Sequence, residues 1–416
     1  MEDVIIIGGG PVGFINALGL AQAGVRVTVI EAESQIIKSP RAAVYFWSVL
    51  EGFERLGILA EAETVGLRKQ DYTYLVRGTG ERIAYSMEVL AGHTPHPYNL
   101  HLPQDRLADI AMRRLQSLPN ATVRFGARLE RLEQDADGVT LSVVTERQTQ
   151  ELRARWVIGA DGAGSTVRRL LGLSFEGVTW PERFVATNVY CDFERHGYAR
   201  ATFVIDGRFG AVIAILNNEG LWRCTYMEDA SLPEETFLER LPQVYQTILP
   251  AGSAYRIERA SPYRMHQRSA QHYRVGRVVL AGDAAHVTNP TGGLGLTSGL
   301  LDSYTLYPAL AAVVLEGADD EMLDRYSTAR RDVFVNRVSP QATANKRLVF
   351  HANGGGRELE EALVGLRRLA TDPEFRRQRL MFTKSLETAP LLGAQRSGRQ
   401  LSRLGRVSTT GEESGQ

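Results

Sequence analysis

The feature that most constrains this chain is a glycine-rich turn, GGGPVG at residues 8–13, which lies between segments of different periodicity. Before it, residues 4–7 form a continuous apolar run, which is typical of a strand buried on both faces of a parallel sheet. After it, residues 14–24 show helical spacing of apolar side chains and end in glycine, and residues 25–30 favour a second strand. This order predicts a β-α-β unit at the start of an α/β fold.

The glycines of this unit have different tasks. Gly8 allows the tight turn, Gly10 lets a pyrophosphate approach the backbone, and Gly13 lets the helix and strand pack closely. The helix that begins at Pro11 points its positive end at the pyrophosphate. Glu31, at the end of the second strand, can accept hydrogen bonds from an adenosine ribose and would repel a 2′-phosphate, which favours FAD or NAD over NADP. The predicted cofactor contacts of the unit are Gly8, Gly10, Pro11, Val12, Gly13 and Glu31.

A second glycine-rich turn follows the apolar run at residues 277–280. A dinucleotide is long, and one β-α-β unit holds only its adenosine half. Asp283 can accept hydrogen bonds from the ribityl hydroxyls of FAD, while Gly293 and Gly295 leave space for a flat ring beside the backbone. The helical pattern over residues 296–315 would direct free N–H groups at the pyrimidine edge of a flavin. If the ligand is FAD, the second turn can therefore hold its ribityl chain and flavin ring.

Three motifs, taken in order, carry a resemblance to a known family: GGGPVG near residue 10, VIGADGAGSTVRR at 157–169 and AGDAAHVTNPTGGLG at 281–295. They resemble the single-component (class A) FAD-dependent aromatic monooxygenases of the para-hydroxybenzoate hydroxylase family, and the likeness covers residues 1–340. The resemblance implies an α/β fold: a Rossmann-like FAD-binding domain, a second, mostly antiparallel β-sheet domain for the substrate, and C-terminal helices.

The domain organisation follows from strand-like segments and from this resemblance. Short strands between residues 121 and 160 predict a small antiparallel meander, and strand-like segments with turn residues between 177 and 270 predict the second sheet. The excursion at residues 74–97 is expected to join that sheet, as in the family. The predicted domains are an FAD-binding domain over 1–73, 98–176 and 271–340, a substrate domain over 74–97 and 177–270, C-terminal helices over 341–395 and a flexible tail over 396–416.

The resemblance also suggests individual site residues. Asp161 and Arg168 match family positions near the flavin and nicotinamide cofactors, although a strand-to-helix turn would use the same residue types. Gln104 matches a glutamine beside the flavin, and Arg41 matches an arginine near the FAD phosphate and ribityl chain; either also suits an ordinary surface. Pro290 matches the proline at the reactive edge of the flavin.

The loop after this proline departs from the family pattern. Where many members carry a polar side chain and then asparagine, this chain has Leu294, Leu296 and Thr297. We therefore expect the loop to contact the flavin through its backbone. The candidates for these contacts are Gly293, Gly295, Leu296 and Thr297.

The resemblance implies that NADH or NADPH reduces FAD, that oxygen adds to the reduced flavin as a C4a-hydroperoxide, and that the distal oxygen attacks an electron-rich ring. The flavin supplies the difficult chemistry, while the protein orients the ring and excludes water. Alternation along residues 221–227 places Arg223 and Tyr226 on opposite faces of a strand, one of which should face the cleft. The catalytic candidates are Pro290, Tyr226 and Arg223.

Composition and cysteine content limit the expected partners. The 416 residues include 48 basic and 48 acidic ones, so neither nucleic acid nor an anionic membrane is expected to bind. The two cysteines, Cys191 and Cys224, form no C-x-x-C pair, which fits a reducing cytoplasm. The apolar segment 294–317 contains Asp302 and Glu316 and is expected to be a buried helix. No metal-ligand spacing is visible, and family habit suggests a homodimer.

Other functions stay open at this point. A flavin-dependent reductase of an isoprenoid chain would bind FAD in the same way. So would a non-catalytic FAD-binding protein that sequesters a reactive metabolite, for which the altered loop at 294–297 is the one hint. Flavin-dependent halogenation is disfavoured because the W-x-W-x-I-P segment is absent. The expected function is hydroxylation of an aromatic or related conjugated small molecule with O2.

Overall fold

The computed structural model describes residues 1–38, 40, 42–351 and 357–392. The predicted tail over 396–416 and the candidate Arg41 lie outside these residues. The strands of the described residues are, in chain order, β1 (Glu2–Ile7), β2 (Val27–Ile30), β3 (Val44–Tyr45), β4 (Leu67–Lys69), β5 (Asp71–Val76), β6 (Glu81–Ser86), β7 (Asn99–His101), β8 (Ala121–Arg124), β9 (Arg128–Gln134), β10 (Val139–Val144), β11 (Thr149–Gly159), β12 (Phe175–Tyr190), β13 (Ala201–Ile205), β14 (Ala211–Ile215), β15 (Leu221–Asp229), β16 (Arg256–Ala270), β17 (Arg274–Val275), β18 (Val278–Leu280) and β19 (His286–Val287).

Helices connect these strands and form most of the C-terminal part. The α-helices are α1 (Pro11–Gln22), α2 (Trp47–Arg55), α3 (Leu59–Val65), α4 (Gln104–Gln116), α5 (Thr166–Leu170), α6 (Phe237–Ile248), α7 (Leu294–Glu316), α8 (Glu321–Val333), α9 (Ser339–Phe350), α10 (Arg357–Thr371) and α11 (Pro373–Leu380). A π-helical turn at Phe334–Val338 joins α8 to α9, and 3-10 turns lie at Met87–Leu90, Glu234–Thr236, Gly282–Ala284 and Lys384–Leu386.

The first sheet contains the doubly wound part of the fold. Strands β18, β11, β1, β2 and β8 pair in parallel in that order. Residues 4–7 of β1 are buried, as their apolar run predicted, and α1 packs against this strand. The antiparallel meander is formed by β9, β10 and β11 only. The expectation that β8 belongs to it was wrong, since β8 pairs in parallel with β2 and a short apolar run does not show which neighbour it will pair with.

The second sheet is mostly antiparallel, in the order β19, β16, β12, β15, β14, β13, β5, β6. Its one parallel pair joins β13 to β5, so the excursion expected to join this sheet does so, starting at Asp71. One face is covered by α6, whose Tyr245 packs with Val185 and Cys224. The opposite face is covered in part by the end of α9, where Phe350 packs on Phe184. The exact domain boundaries stay a prediction.

Helix α7 lies in the core. By length and composition it is the one helix of the described residues that could cross a membrane, yet 78% of its most apolar window is buried inside the structure. It packs against α1, where Asn16 donates a hydrogen bond to the Ser303 hydroxyl. A third, three-stranded sheet of β3, β7 and β4 lies at the start of α4 and carries residues that the site uses.

Candidate active site

The β1–α1 turn has the geometry of a dinucleotide-binding turn. Gly8 has a φ of +110°, and a Cβ there would lie 2.3 Å from the Ala160 carbonyl oxygen. A Cβ at Gly13 would lie 1.9 Å from the carbonyl oxygen of Gly8, so helix and strand could not pack as they do. A Cβ at Gly10, in contrast, would meet nothing within 4 Å. The first two positions are therefore required by the protein itself, whereas Gly10 leaves open space for a ligand.

Open space at Gly10 lies at the N-terminus of α1. Pro11 occupies the first helical position, and no side chain of the described residues caps this end. The Glu31 carboxylate stabilises the turn. Its Oε2 accepts a hydrogen bond from Gly9 N at 2.5 Å, and its Oε1 accepts one from Glu33 N at 2.8 Å. A ribose would therefore share these oxygens with the backbone. An uncapped helix end beside empty space fits the pyrophosphate of FAD.

The second glycine-rich turn lies directly against the first. A Cβ on Gly282 or on Gly299 would come within 2.9 Å of the Val12 side chain, so α1, this turn and α7 meet at close range. Asp283 follows at the surface of the turn and is exposed. Arg168 links the middle motif to the same turn, because its Nη1 donates to the Ala284 carbonyl oxygen at 2.8 Å. All three sequence motifs therefore converge on one place.

Asp161 stabilises its own turn. Its carboxylate accepts hydrogen bonds from the Ser165 hydroxyl at 2.5 Å and from the backbone N–H groups of Thr166 at 2.6 Å and Val167 at 3.1 Å. Burial raises the pKa of Asp161 although these hydrogen bonds act to lower it. The carboxylate thus caps α5, as the alternative interpretation had it, and a cofactor contact from Asp161 stays a prediction.

The loop before α7 has a well-defined shape around Pro290. Asn289 Oδ1 accepts a hydrogen bond from Thr291 N at 3.1 Å, which closes a turn across the proline, and Gly293 N donates to the Pro290 carbonyl oxygen at 3.0 Å. Pro290 itself is exposed. The buried hydroxyls of Thr288 and Thr291 have no hydrogen-bond partner among the described residues. Such unsatisfied groups fit a bound polar ligand.

The first turn of α7 offers backbone donors. Gly293, with a φ of +68°, is the N-cap, and within the described part of the chain no side chain caps this helix. Gly295 and Leu296 are partly exposed, whereas Thr297 is buried and donates its hydroxyl to the Gly293 carbonyl oxygen at 3.0 Å. The free N–H groups and the helix dipole fit the pyrimidine edge of a flavin.

The segment that leads to Gln104 is hydrogen-bonded to the chain around Ala43 and Val44. Leu102 N donates to the Ala43 carbonyl oxygen at 2.9 Å, and Gln104 begins α4 with its side chain partly exposed. Phe46 lies close to α7, since a Cβ on Gly293 would be 3.4 Å from its ring. A contact between Gln104 and the flavin stays a prediction.

The second sheet separates the two candidates on β15. Tyr226 packs with Trp222 and Cys224 in the cluster beneath α6. Arg223 lies on the opposite face, where its Nε donates to Asn188 Oδ1 at 2.9 Å. Of the two side chains, only Arg223 points away from α6. Tyr226 lies behind the sheet because the α6 face is the one on which even-numbered residues of this strand pack.

Arg223 is buried on the face of the sheet opposite α6. Tyr263, Asp105 and Glu258 act electrostatically to raise its pKa, but burial outweighs them and lowers the pKa to about 10, so the guanidinium stays charged at neutral pH. Asp105 belongs to the first turn of α4, which places the arginine near the junction with Gln104. Cross-strand pairing puts apolar side chains on the same face of the sheet, namely Phe184, Phe203 and Val212.

A buried hydrogen-bond chain, which sequence reasoning missed, joins the two parts of the molecule. His101 Nδ1 lies 3.1 Å from the Ile215 carbonyl oxygen, which can only accept, so this nitrogen carries the proton and His101 Nε2 accepts from Tyr72 at 3.3 Å. Tyr72 in turn accepts from Asn99 Nδ2 at 2.7 Å, and Asn99 Oδ1 accepts from Trp47 N at 3.0 Å. Burial lowers the pKa of His101 to about 4, which agrees with a neutral ring. No local sequence pattern links these residues.

A second buried cluster holds the Gly282 turn. Asp302 Oδ2 accepts from His286 Nε2 at 2.7 Å and from Gly282 N at 3.0 Å, and Asp302 Oδ1 accepts from Arg330 Nε at 2.7 Å. Burial opposes ionisation, but His286 and Arg330 hold the pKa of Asp302 at about 2. His286 is thus a fully buried partner of a carboxylate. Among the described residues no group of three His, Cys, Asp or Glu side chains could hold a metal ion.

Comparison with known proteins agrees with this geometry. Residues 1–339 match the family described as FAD binding domain. The chain belongs to this family. It is 42% identical over 93% of its length to 6-hydroxy-3-succinoylpyridine 3-monooxygenase of Pseudomonas putida, of which 98% is covered. It is 43% identical over 93% of its length to para-nitrophenol 4-monooxygenase of a Pseudomonas species, of which 96% is covered.

A solved structure agrees as well. The crystal structure of p-nitrophenol 4-monooxygenase from Pseudomonas putida superposes with a TM-score of 0.89 at 42% identity, covering 93% of this chain and 98% of the other. These matches confirm the predicted fold class, the FAD cofactor with NAD(P)H as co-substrate, and the function: the protein is a FAD-dependent aromatic monooxygenase. The reductase and non-catalytic alternatives gain no support from them. The individual site residues stay predictions.

Proposed function

We propose that this monooxygenase acts on a phenol or hydroxypyridine that carries a substituent para to the ring hydroxyl, and that oxygen is added at the substituted carbon. The names of two relatives support this. The nitro group of one substrate and the succinoyl group of the other lie para to the hydroxyl, and positions 4 and 3, which are oxygenated, carry these groups. The substituent must then leave the ring.

The observation that carries this proposal is the place of Arg223. It is a buried, charged guanidinium, bonded to Asn188, on a face of the sheet that also carries apolar side chains such as Phe203 and Val212. A guanidinium in such a wall stabilises an anionic oxygen strongly, because little water competes. An ionised ring hydroxyl pushes electron density to the para carbon, which is the carbon named in both relatives. Arg223 is therefore assigned to the substrate hydroxyl.

The remaining predicted residues hold the cofactor. FAD, when bound, accepts a hydride from NADH or NADPH and activates oxygen. The N-terminus of α1 at Gly10 binds its pyrophosphate, Asp283 accepts hydrogen bonds from its ribityl chain, and the first turn of α7 faces its pyrimidine edge. Pro290 lies at the reactive edge, and the apolar wall keeps water from the reacting atoms. Glu31 serves the FAD ribose, so it does not discriminate NADH from NADPH.

A cytoplasmic location and a homodimer complete the proposal. Both cysteines of the chain are buried and free, which suits a reducing compartment. The homodimer follows from family habit alone. Sedimentation of the purified protein at several concentrations would test the assembly.

The function is tested with the FAD-loaded protein and a matched pair of isomers. NADH and NADPH oxidation are followed with para-nitrophenol, with 6-hydroxy-3-succinoylpyridine and with meta-nitrophenol as the control, and every product is weighed. We expect a para-substituted compound to accelerate oxidation, to gain oxygen and to lose its substituent, as nitrite in the first case. Equal stimulation by the meta isomer, or oxygen found at an unsubstituted carbon, would contradict the proposal.

A further inference from the structure

Gln267 of β16 is a buried junction between the Pro290 loop and the substrate part of the molecule. Its Oε1 accepts hydrogen bonds from Asn289 Nδ2 at 3.0 Å and from Trp180 Nε1 at 3.3 Å. Its Nε2 donates to the hydroxyls of Ser339 at 2.6 Å and Thr343 at 2.7 Å, both on α9. One side chain therefore connects the loop with β12 and α9.

The orientation of the Gln267 amide is determined by its partners. An indole N–H can only donate, so the atom that faces Trp180 must be the amide oxygen. On the other side, the Thr343 hydroxyl donates its proton to the Ser339 carbonyl oxygen at 3.0 Å, so it is free to accept from the amide N–H. Both sides require the same orientation, which is the sign of a fully satisfied buried network.

The loop end of the network is determined in the same way. Thr291 N is a backbone donor, so the atom of Asn289 that faces it is Oδ1, and Nδ2 is left to donate to Gln267. The Asn289–Thr291 hydrogen bond spans Pro290. From α9, Asn345 Nδ2 also reaches the Thr291 carbonyl oxygen at 3.4 Å. The backbone on both sides of the proline is therefore tied to the second sheet and α9.

The support beneath Gln267 is rigid. Lys346 of α9 is fully buried, donates to Glu182 Oε2 at 2.9 Å and lies 3.9 Å from the ring centre of Trp180. A desolvated cation over an indole ring is a favourable contact that holds both groups in place. Trp180, whose N–H orients Gln267, is thus held by Lys346 on one face of its ring. A shift of β16 would therefore also move the Pro290 loop, because Gln267 is hydrogen-bonded to Asn289.

We propose that Gln267 is a positioning residue that sets the place of the Pro290 loop relative to the substrate cleft. FAD is bound by the first sheet and its turns, whereas the substrate contacts the second sheet, so their separation depends on the few links between them. Among the described residues, Gln267 reaches this loop through Asn289, beside the Asn345 contact with Thr291 and the pairing of β16 with β19. Its loss should let the loop relax, so that oxygen activated at the flavin is released before it reaches the substrate. This inference rests on the proposed function, since it takes Pro290 to lie at the flavin.

The test compares Gln267→Met, Asn289→Ala and the double variant with the parent holoenzyme. Methionine has nearly the shape of glutamine but cannot make the four hydrogen bonds. Gln378→Met, an exposed position on α11, is the matched control. Two quantities are measured: product formed per NAD(P)H oxidised with para-nitrophenol, and the absorption spectrum and content of bound FAD without any substrate.

We expect Gln267→Met to keep its FAD, to shift the flavin spectrum and to lower product per NAD(P)H by about 3- to 10-fold, with hydrogen peroxide replacing product. The double variant should be no worse than Asn289→Ala alone, since both changes remove one link. Reduced coupling in Gln378→Met as well, or additive losses in the double variant, would overturn the proposal.

The two proposals can fail separately. If the parent enzyme oxygenates none of the para-substituted compounds, the proposed substrate class is wrong, and the flavin spectrum then decides the role of Gln267. A Gln267→Met spectrum identical to that of the parent, at full FAD content, would overturn the positioning role. Restoration of both the spectrum and the coupling by a Gln267→Glu variant, which keeps the acceptor for Asn289 and Trp180, would support it.

Discussion

The β1–α1 turn and the wall of the substrate cleft are built on opposite principles. The turn is formed within residues 8–31 by backbone atoms, and its decisive positions are those where a side chain does not fit. The cleft wall is formed by side chains such as Phe184, Val212 and Arg223, which come from three separate strands and meet only after folding. A position where no side chain fits is recognisable in the local sequence, because it must be glycine. A contact between side chains that are distant in sequence has no such local pattern.

The largest expected effect lies in the turn. In Gly13→Val the new side chain would begin 1.9 Å from the carbonyl oxygen of Gly8, so helix and strand must separate. We expect a loss of more than about 4 kcal/mol in the free energy of unfolding, or no soluble protein at all. Gly10→Ala is the control, since its Cβ meets only open space. It should fold and lose FAD affinity, measured by flavin content and urea unfolding; a soluble Gly13→Val with full flavin would contradict this.

The next effect lies in the buried cluster beneath the second turn. Asp302→Ala leaves the charge of Arg330 buried without its carboxylate, which costs about 3 to 5 kcal/mol of stability. The control is Asp109→Ala, which removes an exposed ion pair with Arg113 and should cost less than about 1 kcal/mol. Urea unfolding of the two variants measures both values, and similar losses would show that burial of the cluster does not matter.

The hydrogen-bond chain at the domain junction should make stability depend on pH. Since burial lowers the pKa of His101 from 6.5 to about 4, the unfolded chain binds a proton in this range that the folded chain does not. Stability is therefore lost as the pH falls from 6.5 toward 4, by up to about 3 kcal/mol for this residue. The difference between the parent and His101→Gln, measured by urea unfolding at several pH values, should shrink along this range. Exposed His93→Gln is the control and should leave the pH profile unchanged.

Most of the fold could be predicted because the sequence patterns that identify its elements are local. The glycine turns, the apolar runs and the helical spacing each lie within a short segment, and all three motifs meet as expected at Val12, Gly282 and Ala284. The pairing of β8 was missed because a strand of four residues does not encode its partner. Periodicity identifies an element, whereas neighbours are chosen by the packing of the whole sheet.

The candidate site could be predicted only in part, for the same reason. Alternation correctly separated Arg223 from Tyr226, but it could not say which face meets the cleft, because that depends on where α6 packs. Gln267 and the Tyr72–His101 contact have no local signature at all. Asp161 shows a further limit of prediction from sequence. An aspartate after a strand suits either the cap of the next helix or a cofactor contact, so its residue type does not distinguish the two roles.

Substitution of Arg223 tests whether the side chains of the cleft wall bind the substrate. Arg223→Met keeps much of the side-chain volume but removes the charge, and we expect kcat/KM for a para-substituted phenol to fall about 100-fold. Arg223→Lys should recover part of this, since an ammonium group is charged but lacks the planar fork of donors. FAD content should stay unchanged in both variants. An unchanged kcat/KM in Arg223→Met would remove the assignment of this residue to the substrate hydroxyl.

The smallest effect is expected at Tyr226, three residues after Arg223 on β15. A substitution there tests whether the substrate contacts only the Arg223 face of the sheet. The Tyr226 hydroxyl is buried beneath α6 and has no hydrogen-bond partner among the described residues. Removing an unsatisfied buried hydroxyl costs nothing, so Tyr226→Phe should change the free energy of unfolding by less than about 1 kcal/mol, and in the stabilising direction. Activity should stay at the parent level, because the sheet lies between this ring and the cleft. A large loss of kcat/KM in Tyr226→Phe with intact stability would show that substrate reaches the α6 face, and the assignment of the cleft to the Arg223 face would then be wrong.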